Sequence, residues 1–138
     1  MDSPKALYLG DFTKGSAVSA ELINQVQRDL GFNLPDDYIS ILKEFNGSEG
    51  EVGDNSWLRL FPLEELQEIN ESYILLMEQI PDYFLFGMDA ADTGYAFHKV
   101  KMTFHSFGLI SNFKTDYIDF CGNSFSEFLE NLYYSRSR

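Results

Sequence analysis

The hydrophobic period of this chain changes at Pro81 and changes back near Ser124, and that switch constrains its fold more than any other feature. Before Pro81 the apolar residues recur at helical spacing. After it come the runs "YFLFGM", "GYAFHKV", "TFHSFGLI" and "YIDF", aromatic and β-branched and broken by turn residues, which read as strands. The closing "SFSEFLENLYY" returns to helical spacing. Helices at both ends of a block of strands imply an α+β domain, with helices flanking a largely antiparallel or mixed sheet.

Local signals sharpen the order. In "SAELINQVQRDLG", Ser19 can cap a helix, Leu22, Ile23, Val26 and Leu30 form a stripe, and Gly31 can close it. A second helix follows in "FNLPDDYISILKEFNG". Pro35 suits its first turn, Asp36 and Asp37 meet the positive helix end, and Tyr38, Ile41, Leu42 and Phe45 face inward before Asn46-Gly47 stops it. The polar stretch "GSEGEVGDNS" reads as a loop and "WLRLF" as a short strand. Pro62 then opens a third helix, with Glu64 and Glu65 in its first turn. Leu63, Leu66, Ile69, Tyr73, Met77 and Ile80 keep its rhythm to Pro81. Ser124 and Glu127 form a capping box for the last helix, whose apolar face is Phe125, Phe128, Leu129 and Leu132. The expected order is α-α-β-α-β-β-β-β-α, one domain over residues 1–138.

Charge narrows the choice of partners. The net charge is −12, and between Asn33 and Asp92 there are 14 acids against two bases, Lys43 and Arg59. The rest of the chain is balanced. Such a field repels nucleic acid and anionic membranes and attracts basic proteins, although a solvated face that serves solubility is the plainer reading. Cys121 is the only cysteine, so no internal disulfide can form, as suits a reducing compartment. "MDSPKALYLGDF" lacks the basic and apolar regions of a secretory signal, and "YILLM" is too short to span a bilayer, so the expected location is the cytoplasm.

Reactive chemistry finds little to work with. Cys121 stands at a strand-to-helix turn, where a helix N-terminus lowers thiol pKa values, but no histidine is near it in sequence and a packing role is the simpler reading. Asp89 and Asp92 in "DAADTG" offer two carboxylates to a hard cation, or a plain Asp-rich β-turn. Were Lys101-Met102 a two-residue hairpin turn, His98 and His105 would face each other across it, close enough to share a zinc, yet that turn type wants Asn or Gly. No glycine-rich phosphate loop and no basic stripe appears. No catalytic, cofactor or metal residues are assigned.

Taken in order, "ELINQVQRDLGFNLPDDYISILKEFNG", "WLRLFPLEELQEIN", "YFLFGMDAADTGYAFH" and "SFSEFLENL" resemble the SUKH superfamily, which groups bacterial immunity proteins with fungal Smi/Knr-type cell-wall regulators. The Leu34-Pro35-x-x-Tyr38 opening and the Asn46-Gly47 stop are its most telling points. The turn after "FLFG" departs from the pattern, which is usually richer there in glycine and acids. The resemblance implies a non-enzymatic domain that binds and neutralises a cognate secreted toxin, a nuclease or other nucleic-acid-acting protein. The charge count fits that role independently, with an acidic surface meeting a basic one, and the expected state is a monomer or weak dimer with no cofactor and no nucleic-acid or membrane partner. Candidate contacts are Glu49, Glu51, Asp54, Glu64, Glu65, Asp89 and Asp92. A regulatory interaction scaffold, a small metal-dependent enzyme and a DNA mimic are the alternatives.

Overall fold

The computed structural model describes Leu9, Phe12 and residues 18–134. The stretch scanned for a secretory signal therefore lies, apart from Leu9 and Phe12, outside the described residues. Helices α1 (Ala20–Leu30) and α2 (Asp36–Phe45) lead into strands β1 (Glu49–Val52) and β2 (Ser56–Leu60). A 3-10 turn (Leu63–Glu65), α3 (Leu66–Ser72) and α4 (Ile74–Met77) follow. Then come β3 (Tyr83–Met88), β4 (Thr93–His98), β5 (Phe104–Gly108), β6 (Asp119–Gly122) and α5 (Phe125–Tyr133). The six strands form one sheet in chain order, and every neighbouring pair is antiparallel. The protein is an α+β domain whose order matches the expected one except at two places.

The first is an added strand. Glu49–Val52, inside the stretch read as a loop, pairs with β2 from Glu49↔Arg59 to Val52↔Ser56. Its side chains alternate outward and inward, with Glu49 and Glu51 exposed and Val52 buried. Carboxylates on an edge strand disguise it as a loop in sequence, and they also deter pairing with foreign strands. The hairpin turns at Gly53, whose φ is 72°, and a Cβ there would strike the Tyr133 carbonyl of α5. Only glycine meets both demands.

The second is a broken helix. The rhythm of Leu63, Leu66, Met77 and Ile80 does bury those residues, but the backbone interrupts it at Tyr73. Asn70 shows why. The β2–β3 pairing ends at Leu60↔Gly87 and Phe61 N–H to Phe86 O, and Pro62 has no N–H to extend it. Beyond that point the Asn70 amide takes over. It donates to Leu85 O (3.0 Å) and accepts from Leu85 N–H (2.9 Å), as a strand would. Nearby, the Ser72 hydroxyl donates back to Ile69 O at 2.7 Å. Side chains that bond the backbone in this way compete with a continuing helix.

One face of the sheet meets the helices through an aromatic core. Register aligns Phe84, Phe97 and Phe104 on that face. Tyr38 from α2 packs against Phe86, Phe97 and Phe125 at 5.2–6.1 Å between ring centroids, and Phe128 from α5 packs against Phe86, Tyr95 and Phe104. The Tyr38 hydroxyl is fully buried with no hydrogen-bonding partner in the protein, and burial pushes its ionisation far above the usual tyrosine range. Helix α5 starts with two donors satisfied. Ser124 Oγ accepts from Glu127 N–H, and Asp37 Oδ2 of α2 accepts from Phe125 N–H at 2.6 Å. Asp37 thus clamps two helices together. The capping box is half formed, since the Glu127 carboxylate takes Asn123 N–H rather than Ser124 N–H. The other face of the sheet is covered by the segment between β5 and β6. Leu109 closes over Gly94 and Leu85, and Phe113 stands edge-on to Phe107 at 5.4 Å. The last strand starts two residues later than "YIDF", leaving Tyr117 outside it and exposed.

Register keeps the two histidines from facing each other, in line with a connection that lacks the Asn or Gly of a two-residue turn. Residues Lys99–Thr103 join β4 to β5, Met102 taking a φ of 57°, so His105 pairs with Ala96 and His98 with Tyr83. The Tyr83 ring lies edge-on to both imidazoles at 5.1 and 5.0 Å. His98 Nδ1 accepts from Val100 and Lys101 N–H, and His105 Nε2 bonds the Thr103 hydroxyl at 2.7 Å. The connection is longer than two residues, so the facing arrangement that a two-residue turn would give is not adopted. Burial, then the neighbouring His98, pulls the His105 pKa below its ordinary value.

Three outcomes follow from this packing. Tyr38→Phe removes an unpaired buried hydroxyl, keeps the ring, and should raise stability by about 1 kcal/mol in urea titration. Asp37→Ala should lower it by about 1–2 kcal/mol, with Asp37→Asn losing less because an acceptor remains. The fold prefers neutral His105, so that residue's contribution is complete above the unfolded histidine pKa of about 6.5 and is lost as pH falls through the lower folded value. The urea midpoint should therefore fall more steeply on acidification below about pH 6.5 in the natural protein than in His105→Gln.

Candidate functional site

Antiparallel register sorts the connections to two ends of the sheet. The Gly53–Asn55 turn, the Asp89–Asp92 turn, the end of β5 and the start of β6 share one end. The C-terminal turn of α5 joins them there, tied by the Ser56 hydroxyl donating to Leu132 O at 2.7 Å. Between these pieces lies a groove of about 630 Å³. Ser106, Tyr95 and Cys121 contribute to its wall, and Trp57, Asp89, Asp119 and Tyr117 also line it.

Among the carboxylates that line it, Asp89 is held by local bonds: its Oδ1 accepts from Ala91 N–H (2.8 Å) and Thr93 N–H (3.0 Å). The backbone carbonyl of Asp92 accepts from Leu109 N–H (2.7 Å), which ties the same turn to the end of β5. Asp89 is thus the anchor of an Asx-type turn. Asp116 Oδ2 accepts from Asn112 N–H at 2.8 Å and so shapes the neighbouring connection. Trp57 Nε1 donates to Glu49 Oε2 at 3.2 Å, setting the indole beside the edge strand. The Cys121 thiol contacts Ser106 Oγ at 3.4 Å, and burial pushes its pKa up, so it stays a protonated packing group. Among the described residues no group of three or more His, Cys, Asp or Glu side chains is placed to hold a metal ion.

The sequence-derived contacts divide between two places. Asp54, Asp89 and Asp92 stand at the groove end, with Glu51 paired to Trp57 next to the turn. Glu49 reaches the groove only through Trp57. Glu64 and Glu65 follow β2 at the opposite end, where Glu64 Oε1 accepts from the Asn46 amide at 2.9 Å and helps fasten the end of α2 to the 3-10 turn. Asn46 Oδ1 completes that joint by accepting from Leu63 N–H. Asp119, Tyr117 and Asn131, which also line the groove, lie outside the acid-rich segment. Only strand register signals their arrival here. The candidate contacts therefore fall at two ends of the sheet rather than one. Along 64–82, Glu64, Glu65, Glu68, Glu71, Glu78 and Asp82 are exposed and meet no base in sequence.

Among the described residues no helix is long and apolar enough to cross a membrane. Comparison with curated proteins returns no match. A family model described as SMI1 / KNR4 family (SUKH-1) matches residues 17–131, which takes in every element from α1 to β6 and runs into α5. The chain belongs to the SMI1/KNR4 family (SUKH-1) and is, as such, a protein-interaction domain.

Proposed function

We propose that this protein is a non-enzymatic, cytoplasmic immunity protein that neutralises a cognate toxin with a basic, nucleic-acid-acting surface. The observation that carries this reading is the groove at the turn end of the sheet, where two backbone N–H groups fix the Asp89 carboxylate and Asp119 lines the wall, with Asp54 and Asp92 on the adjoining turns. A toxin that grips phosphates must offer a basic surface. A preset carboxylate such as Asp89 can meet it without first paying to order a turn. The remaining field of the −12 chain draws such a partner in, raising the encounter rate more than the final affinity. The protonated, buried Cys121 fits a role in which binding, not bond cleavage, does the work.

The experiment pairs the protein with the C-terminal domain of each secreted protein encoded beside its gene. Co-expression should restore growth. The variant Asp54→Asn, Asp89→Asn, Asp92→Asn, Asp119→Asn should associate about tenfold more slowly at low salt, with a flatter salt dependence and an unchanged melting curve. An association rate equal to that of the natural protein, or failure to protect cells from any neighbouring secreted protein, would overturn the proposal.

A further inference from the structure

The break at Tyr73 has a consequence at the other end of the molecule. It leaves Ile74 53% and Leu75 79% exposed, while Leu76 and Met77 are buried. Beside Ile74 a groove of about 290 Å³ runs between α3, α4, the start of β3 and Phe32 in the α1–α2 connection. Phe32, Ile74, Met77, Pro81, Tyr83 and Phe84 give it an apolar lining. Glu71 and Glu78 line it from the α3–α4 side. Opposite them Lys99 leans over the Phe32 ring, its Nζ 5.0 Å from the centroid. Val100, next to Lys99, is 79% exposed.

We infer that this groove is a second docking site, and that its occupant is a cationic amphipathic segment of a protein partner. Apolar side chains on one side of that segment would fill the groove, and lysine or arginine on its flanks would meet Glu71 and Glu78. Size and charge select this occupant. A groove this small lies at the lower edge of the range for small-molecule sites and suits a few side chains presented along a segment. The 64–82 surface carries six carboxylates and no base, so the complement is basic. A second copy of the chain would set the same acids against each other, with Lys99 as the sole cation among the lining residues. Anionic lipid is repelled for the same reason. The inference rests on the chain being a protein-binding domain, but not on the acidic groove at the turn end of the sheet.

The test uses the intact protein and a synthetic helical peptide of about 14 residues, leucine on one face and lysine on the other. A peptide of the same composition in scrambled order serves as control. At about 0.15 M salt, where diffuse attraction is screened, amide NMR shifts should map to Phe32, residues 67–84 and Lys99, and the scrambled peptide should bind at least tenfold more weakly. Ile74→Gln, at an exposed position, and the pair Glu71→Gln, Glu78→Gln should each weaken binding about tenfold, while Asp54→Asn with Asp92→Asn should leave it unchanged. Equal binding of both peptides, or shifts confined to the Asp89 groove, would overturn the inference. So would self-association in sedimentation that Ile74→Gln abolishes, or co-flotation with phosphatidylcholine vesicles in place of peptide binding. Loss of steering at the Asp89 groove with this result intact would strike the immunity reading alone.

Discussion

The contact on which the rest depends is the aromatic cluster of Tyr38, Phe86, Phe97, Phe104, Phe125 and Phe128. It joins α2, three central strands and α5 through edge-on and tilted rings about one ring-width apart. Each such pair contributes about 0.5–1.5 kcal/mol beyond the area it buries. The geometry matters more than the sum. Edge-to-face packing fixes how each element is rotated about its own axis, so α5 cannot turn without disturbing several rings. Asp37 adds a polar latch to the same joint by holding Phe125 N–H. With α5 so fixed, its C-terminal turn is a firm wall for the acidic groove, and the β1–β2 turn at Gly53 closes against it.

The second constraint is how β2 leaves the sheet. Its departure at Pro62 exposes the first half of β3, and a lone asparagine repairs the edge. That repair holds α3 alongside β3, and after the interruption at Tyr73 the chain continues as α4. The apolar groove beside Ile74 is a by-product of this geometry. A continuous β2 would fill the space that α3 now takes. The two surfaces of the molecule thus have separate structural origins, one in the stacking of turns and the other in an interrupted strand.

Much of this was legible in the sequence, and the boundary is physical. Caps and stripes are local, so α1, with Ser19 and Gly31, and the α2 stripe from Tyr38 to Phe45 appear where helical spacing places them. The strand block from Tyr83 to Gly108 is equally plain, because β-branched and aromatic runs have few other uses. What escaped depends on partners far along the chain. Glu49–Val52 is a strand only because β2 is there to pair with it, and its carboxylates hide the pattern. The helix break at Tyr73 depends on Leu85, and the spacing of the histidines depends on the length of the Lys99–Thr103 connection. The acid tip of α2 reads as a contribution to the external field, yet Asp37 is consumed internally by a residue 88 positions away. In the same way the count of acids from Asn33 to Asp92 does not show that the candidate contacts fall at both ends of the sheet, and it omits Asp119, which lines the groove.

Burial also explains why the acids stand where they do. Leu85 and Ala96 face away from the helices and are still fully buried, and Leu109 from the β5–β6 connection packs against the neighbouring Gly94, so the centre of that face has no room for charge. Exposed positions remain on the edge strand, on the outer sides of helices and on the connections. Acids on a connection can change with little consequence for the core, provided the few that bond backbone, such as Asp89, keep an acceptor. The aromatic joint is thus separate from the turns beside Trp57 and from the exposed acids of α3 and α4, so charges at either place can be altered without disturbing it.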